Sequence, residues 1–159
     1  MLQTGLRVGE ALHLQVADVT LHDRSGHVRV RLGKGGKERE VPLNISARRA
    51  LRAYLDSRPD VAPDESLFLS HENHALSERS VETLVRTLAR RAKIERLRVT
   101  PHTLRHTFAH NFLRDNPGQM VELAQLLCHE SLDTTAIYTR PAAEDLAAAL
   151  EKSRLNVYG

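Results

Sequence analysis

The chain has 159 residues, a length that fits one domain with a sizeable core. Apolar residues make up 41% and charged residues 27%, and no apolar run approaches the ~18–20 residues that cross a bilayer. The net charge is +3, and the single cysteine excludes an intramolecular disulfide framework and suits the cytoplasm, as does the lack of a visible secretory leader.

Residues 5–15 predict a helix, with Leu6, Val8, Ala11, Leu12 and Leu14 apolar among polar neighbours. Asp18 and Val19 lead into a strand-rich stretch. His27-Val28-Arg29-Val30-Arg31-Leu32 alternates strictly, as a half-buried strand does. Gly33-Lys34-Gly35-Gly36-Lys37 reads as a turn, and Arg39 to Leu43 returns as a second strand, placing the lysines at a hairpin tip. Ser46 is the expected N-cap of a helix to about Ser57. A loop follows over 58–63, then a short extended piece at Leu67-Phe68-Leu69. Ser77 is the expected cap of a helix to about Lys93, with Val81, Leu84, Val85, Leu88 and Ala92 on one face. Thr100-Pro101 starts a helix that runs to about Asn116, with proline at its first position. Another helix runs from about Gln119 to Leu127. A short helix holds Tyr138, and Pro141 opens a last one. The pattern is α+β, mostly helical with a small antiparallel sheet near the N-terminus. No internal boundary is visible, so residues 1–159 read as a single domain.

The distribution of charge says more than its sum. Residues 84–114 carry Arg86, Arg90, Arg91, Lys93, Arg96, Arg98, Arg105 and Arg114 against one acid, Glu95. Such clustering is the electrostatic footprint expected for nucleic acid. Arginine outnumbers lysine 19 to 4, and its planar fork grips phosphate through two bonds where lysine is a point charge. A GC-rich genome is the plainer source of the same bias.

Six residues stand in motifs able to do chemistry: Arg7 in T-G-L-R-V-G-E, Lys34 in G-K-G-G-K-E-R, His102 and Arg105 in H-T-L-R-H-T-F, His129 in L-L-C-H-E-S, and Tyr138 in T-T-A-I-Y-T-R. The set holds no acid for a metal and no serine or cysteine in a nucleophile motif. It can surround a phosphate with positive charge and donors, and present a phenol. A tyrosine that attacks a phosphodiester forms a covalent intermediate and divides one hard step into two. His102 and Arg105 are three apart on a helix, so they share a face. A rival pattern lies on the same helix, where His102, His106 and His110 recur every four residues. The outer pair would be about 12 Å apart, too far for one zinc ion on a straight helix. His106 is the expected packed histidine that props up the site.

These motifs, in this order and spacing, resemble the tyrosine recombinase (phage integrase) family, from Gln3 to about Arg140. The resemblance implies the DNA breaking–rejoining catalytic fold of that family, here without the N-terminal core-binding domain and without the helix that usually precedes T-G-L-R. It implies that Arg7, Arg105, His102 and His129 surround the scissile phosphate, that Tyr138 is the nucleophile, and that Lys34 protonates the leaving 5′ oxygen. Lys37, Arg39, Arg86 and Arg90 are expected to contact DNA. The product would be a 3′-phosphotyrosyl link that keeps the bond energy for rejoining, so neither cofactor nor metal is expected. Double-stranded DNA and further protomers in a tetrameric synapse are the expected partners, and no membrane is. One departure is Cys128, where the family usually has glycine before the second active-site histidine. Two other readings share the phosphate grip: a DNA-binding remnant without catalysis, and a type IB topoisomerase.

Overall fold

The computed structural model describes residues 1–31, 38–94 and 98–127. Alternation makes the sheet. In β2 (Gly26–Val30), Val28 and Val30 are buried while Arg29 points to solvent. β2 pairs antiparallel with β3 (Arg39–Pro42), setting Val28 opposite Val41 and Val30 opposite Arg39. β1 (Val19–Leu21) pairs with the other edge of β2, giving the order β1-β2-β3. The inward valines pack with Leu6, Leu14, Leu43, Ala47 and Leu67 into a first core.

The expected helix over 5–15 is shorter, α1 (Val8–Leu12). The cause is tertiary at both ends. Gly5 holds a left-handed backbone with φ +65°, and Gln15 forms a β-bridge with Ser66. A Cβ at Gly5 would lie 2.6 Å from a Phe108 ring carbon and 2.7 Å from a Leu127 methyl. Glycine is therefore required there by conformation and by space.

α2 (Ile45–Asp56) begins two residues earlier than its expected cap implied. Asn44, not Ser46, is the N-cap, and its side chain accepts the Ala47 N–H. Asn44 has the extended backbone that an N-cap needs, while Ser46 already lies inside the helix. Ser77 caps α3 (Glu78–Arg91) as expected. The apolar face differs, because Val85 and Ala89 are buried whereas Leu84 and Leu88 are about half exposed at 52% and 51%. The buried stripe is the i, i+4 row through 85 and 89, narrower than the apolar face expected over 81–92.

α4 (Pro101–Asp115) starts where the sequence signals it: Thr100 accepts the Thr103 N–H, and Pro101 fills the first turn. The helix stops at Asn116, whose side-chain amide donates to the Phe112 carbonyl. α5 (Met120–Leu127) folds back, and Ala109, Leu123 and Leu127 form a second core with Phe108, Phe112 and Leu113. The fold is thus mostly helical with a small antiparallel sheet, as expected. The hairpin tip at 33–37 and the two helices expected after Leu127 lie outside the described residues.

Candidate active site

The site forms where the two cores meet, and Glu10 is its hub. Three residues into the motif helix, its carboxylate turns back to accept the Arg7 backbone N–H at 2.8 Å and the Arg7 guanidinium at 2.9 Å. Arg39, on β3, meets the same carboxylate as a fork, Nη1 to Oε1 at 3.1 Å and Nη2 to Oε2 at 2.9 Å. Arg105 Nη1 stands 3.9 Å from Oε2. Glu10 is buried. Burial pushes its carboxyl upward, but the Arg39 and Arg7 hydrogen bonds and the Arg39 charge outweigh that and hold it below the usual carboxylate value.

Arg105 is 3% exposed, an uncommon position for a guanidinium. It sits one turn along α4 from Pro101 and reaches inward, donating to the Gly5 carbonyl and to the Leu127 carbonyl at 2.7 Å. The backbone before α1 and the end of α5 thus fix its plane. Because α4 starts sharply at Thr100-Pro101, His102 falls in the first turn and shares the Arg105 side of the helix. Arg7, Glu10, His13, Glu78, His102 and Arg105 all line one cavity of about 550 Å³. The structure therefore brings together three of the six motif residues: Arg7, His102 and Arg105.

His106 meets His102 edge to face, with ring centroids 4.2 Å apart. Burial, then the charges of His102 and Arg105, lower its pKa and favour the neutral ring. His110, one turn further, is exposed. Among the described residues no group of three histidines, cysteines or carboxylates is arranged to hold a metal ion.

A second cavity, of about 420 Å³, adjoins the first at Pro101. Arg86, Arg90 and Arg98 line it with Glu82, and all three arginines are exposed. Arg86 and Arg90 thus lie where DNA could reach them. Arg39, also expected to contact DNA, has a side chain that is only 12% exposed and points at Glu10. Lys34, Lys37, His129 and Tyr138 lie outside the described residues.

From the sequence, Glu10 is legible as a partner of Arg7 within one turn in T-G-L-R-V-G-E, but its meeting with Arg39 and Arg105 is not. His13 and Glu78 also line the cavity, and neither carried a sequence signal. Chemically, Arg7 and Arg105 are paired guanidinium groups whose orientation is set by protein acceptors before any ligand arrives. Such fixed donors stabilise developing negative charge without reorganising.

Comparison with known proteins places nearly the whole chain among relatives. The sequence model of the phage integrase family matches residues 1–145. Tyrosine recombinase XerA of Pyrococcus furiosus is 36% identical over 152 residues, covering 96% of this chain and 51% of the relative. Tyrosine recombinase XerC of Pelobacter propionicus is 37% identical over 153 residues, covering 96% and 49%. Among solved structures, the crystal structure of XerA recombinase superposes with a TM-score of 0.79 at 36% identity, covering 96% of this chain and 54% of that one. XerH site-specific recombinase, bound to its difH substrate in a pre-cleavage complex, gives a TM-score of 0.79 at 29% identity, covering 95% and 44%. The chain therefore spans about half the length of the curated relatives it matches.

Proposed function

The chain belongs to the phage integrase family, and from that premise we propose that it breaks and rejoins DNA in site-specific recombination through a 3′-phosphotyrosyl intermediate. One observation carries the reading: Arg7, His102 and Arg105, far apart in sequence, line one cavity with both guanidinium groups held in place. Residues 1–159 act as the catalytic domain. Arg7 and Arg105 grip the non-bridging oxygens of the scissile phosphate, and His102 and His129 add donors. The Tyr138 phenol oxygen attacks phosphorus, and the bond to the 5′ oxygen breaks. Lys34 gives that oxygen its proton, since an alkoxide would leave slowly. A 5′ hydroxyl from the partner duplex then attacks the phosphotyrosine and releases the phenol. Bond energy is conserved, so the residues need no nucleotide cofactor or metal. Lys37, Arg86 and Arg90 contact the DNA backbone. Protomers pair on each site and assemble as a tetramer across two duplexes, in the cytoplasm.

The test is covalent trapping on nicked duplex DNA whose cleaved end diffuses away. The unaltered chain is expected to form a protein–DNA adduct, and Tyr138→Phe to abolish it while binding DNA about as well. Because the chain spans about half the length of its relatives, DNA is supplied at micromolar levels or above, the range of non-specific phosphate contacts. An adduct that persists in Tyr138→Phe would refute the nucleophile. DNA binding with no adduct from the unaltered chain would favour a non-catalytic remnant.

A further inference from the structure

We infer that Arg39 is a positioning residue: it acts through Glu10, fixing the carboxylate that orients Arg7 and faces Arg105, and makes no essential DNA contact. This rests on the recombinase reading above. Both terminal nitrogens of Arg39 are committed to the two Glu10 oxygens, at 3.1 and 2.9 Å. A fork of this kind fixes the carboxylate plane, which a single donor cannot do. Arg7 adds one side-chain donor and its backbone N–H from one side only. Turning Arg39 outward to a phosphate would strip both bonds and leave Glu10 buried with fewer partners, a costly state. The side chain also accepts a penalty to stay inside: among the described residues, Arg39 Nε is buried without a hydrogen-bond partner. Its place on β3 opposite Val30 ties the sheet to α1 and, through Glu10, to Arg105 on α4.

Around Glu10, Arg39 from β3 meets it directly, Arg7 and His13 from the α1 segment, Arg105 and His102 from α4 and Glu78 from α3 line one cavity with it, and Arg31 after β2 lines another. Of these, Arg39 contributes most to keeping the carboxyl ionised against burial. Removing it leaves burial less opposed, so Glu10 takes up a proton at higher pH and loses its hold on Arg7.

A double-mutant cycle on the full chain tests this, using single-turnover adduct formation at saturating nicked DNA, with DNA affinity measured beside it. Arg39→Met is expected to lower the rate by about 10²-fold, the cost of a misplaced catalytic group, with little change in affinity. Combined with Glu10→Gln, it is expected to add nothing to the loss from Glu10→Gln alone. Its rate–pH profile is expected to lose activity at higher pH on the acid side, and Arg39→Lys to recover part of the rate. If Arg39→Met does not fold, Arg39→Lys carries the same comparison. Multiplying losses in the double variant would overturn the inference, as would full rate at saturation with weakened binding. If the unaltered chain forms no adduct, the recombinase reading fails instead. Carboxyl NMR titration of Glu10 then still decides whether Arg39 holds it ionised, and an unmoved Glu10 in Arg39→Lys and Arg39→Met would sink the inference.

Discussion

Two groups of arginines lie on either side of Pro101, and they are built differently. Arg7, Arg39 and Arg105 converge on one buried carboxylate, and the protein's own acceptors set their planes. Arg86, Arg90 and Arg98 line an open cavity and are exposed. The first arrangement loses side-chain entropy on folding, so less is left to lose when a phosphate arrives. That suits transition-state stabilisation, where donors must be in place beforehand. The second keeps its freedom and its hydration, which suits a backbone grip that tolerates any sequence. Charge alone does not separate the two groups; the partners of each guanidinium do.

The largest effect should come from the most enclosed member. Arg105→Ala removes one phosphate donor, and losing one such donor raises a barrier by about 2.7–4 kcal/mol. It also leaves the Gly5 and Leu127 carbonyls without their buried donor. Adduct formation should fall by roughly 10²–10³-fold, and thermal melting should show a less stable fold. A variant that melts normally would break the contrast between held and free arginines.

Gly5→Ala probes the backbone that holds Arg105. With φ at +65° and Phe108 at 2.6 Å from the added carbon, a left-handed alanine costs about 1–2 kcal/mol before any clash. Each kcal/mol lowers the melting temperature by roughly 2–4 °C at this size, which calorimetry would register. An unchanged midpoint would show that the junction of the two cores is softer than its packing implies.

Acid sharpens the comparison further. The folded Glu10 carboxyl lies below its unfolded value, so its contribution is fully present above that unfolded value, about 4.3. It is lost as the pH falls through the lower folded value. Glu10→Gln should therefore flatten the fall in stability through that window in acid-unfolding curves. A parallel curve would mean that Glu10 does not titrate differently on folding. The smallest effects belong to the open cavity. Arg86→Ala and Arg90→Ala should each weaken DNA binding evenly across sequences and reduce the salt slope by about 1.

Much of this contrast was legible, but unevenly. T-G-L-R-V-G-E and H-T-L-R-H-T-F marked Arg7, His102 and Arg105 because each motif is a tight local pattern, and the three line one cavity. Ser77 and Thr100-Pro101 marked helix starts because caps are local chemistry, and the alternation about Val28 and Val30 marked a strand for the same reason. The fork from Arg39 to Glu10 crosses 29 residues, and no local rule points across such a gap. Gly5 shortened the first helix through contacts with Phe108 and Leu127, again a tertiary cause. Leu84 and Leu88 looked buried by type, yet only the row through Val85 and Ala89 finds a partner surface. Lys34, His129 and Tyr138 lie outside the described residues, so their roles rest on their motifs.

The most direct test of the division between held and free arginines is the single-turnover rate of adduct formation at saturating DNA, measured with affinity in parallel. Arg7→Ala should cut the rate at saturation by roughly 10²-fold or more and change affinity little. The Arg86→Ala/Arg90→Ala pair should weaken affinity and leave the rate at saturation intact. A rate loss in the α3 pair that saturating DNA cannot restore, or undiminished cleavage in Arg7→Ala, would contradict the account.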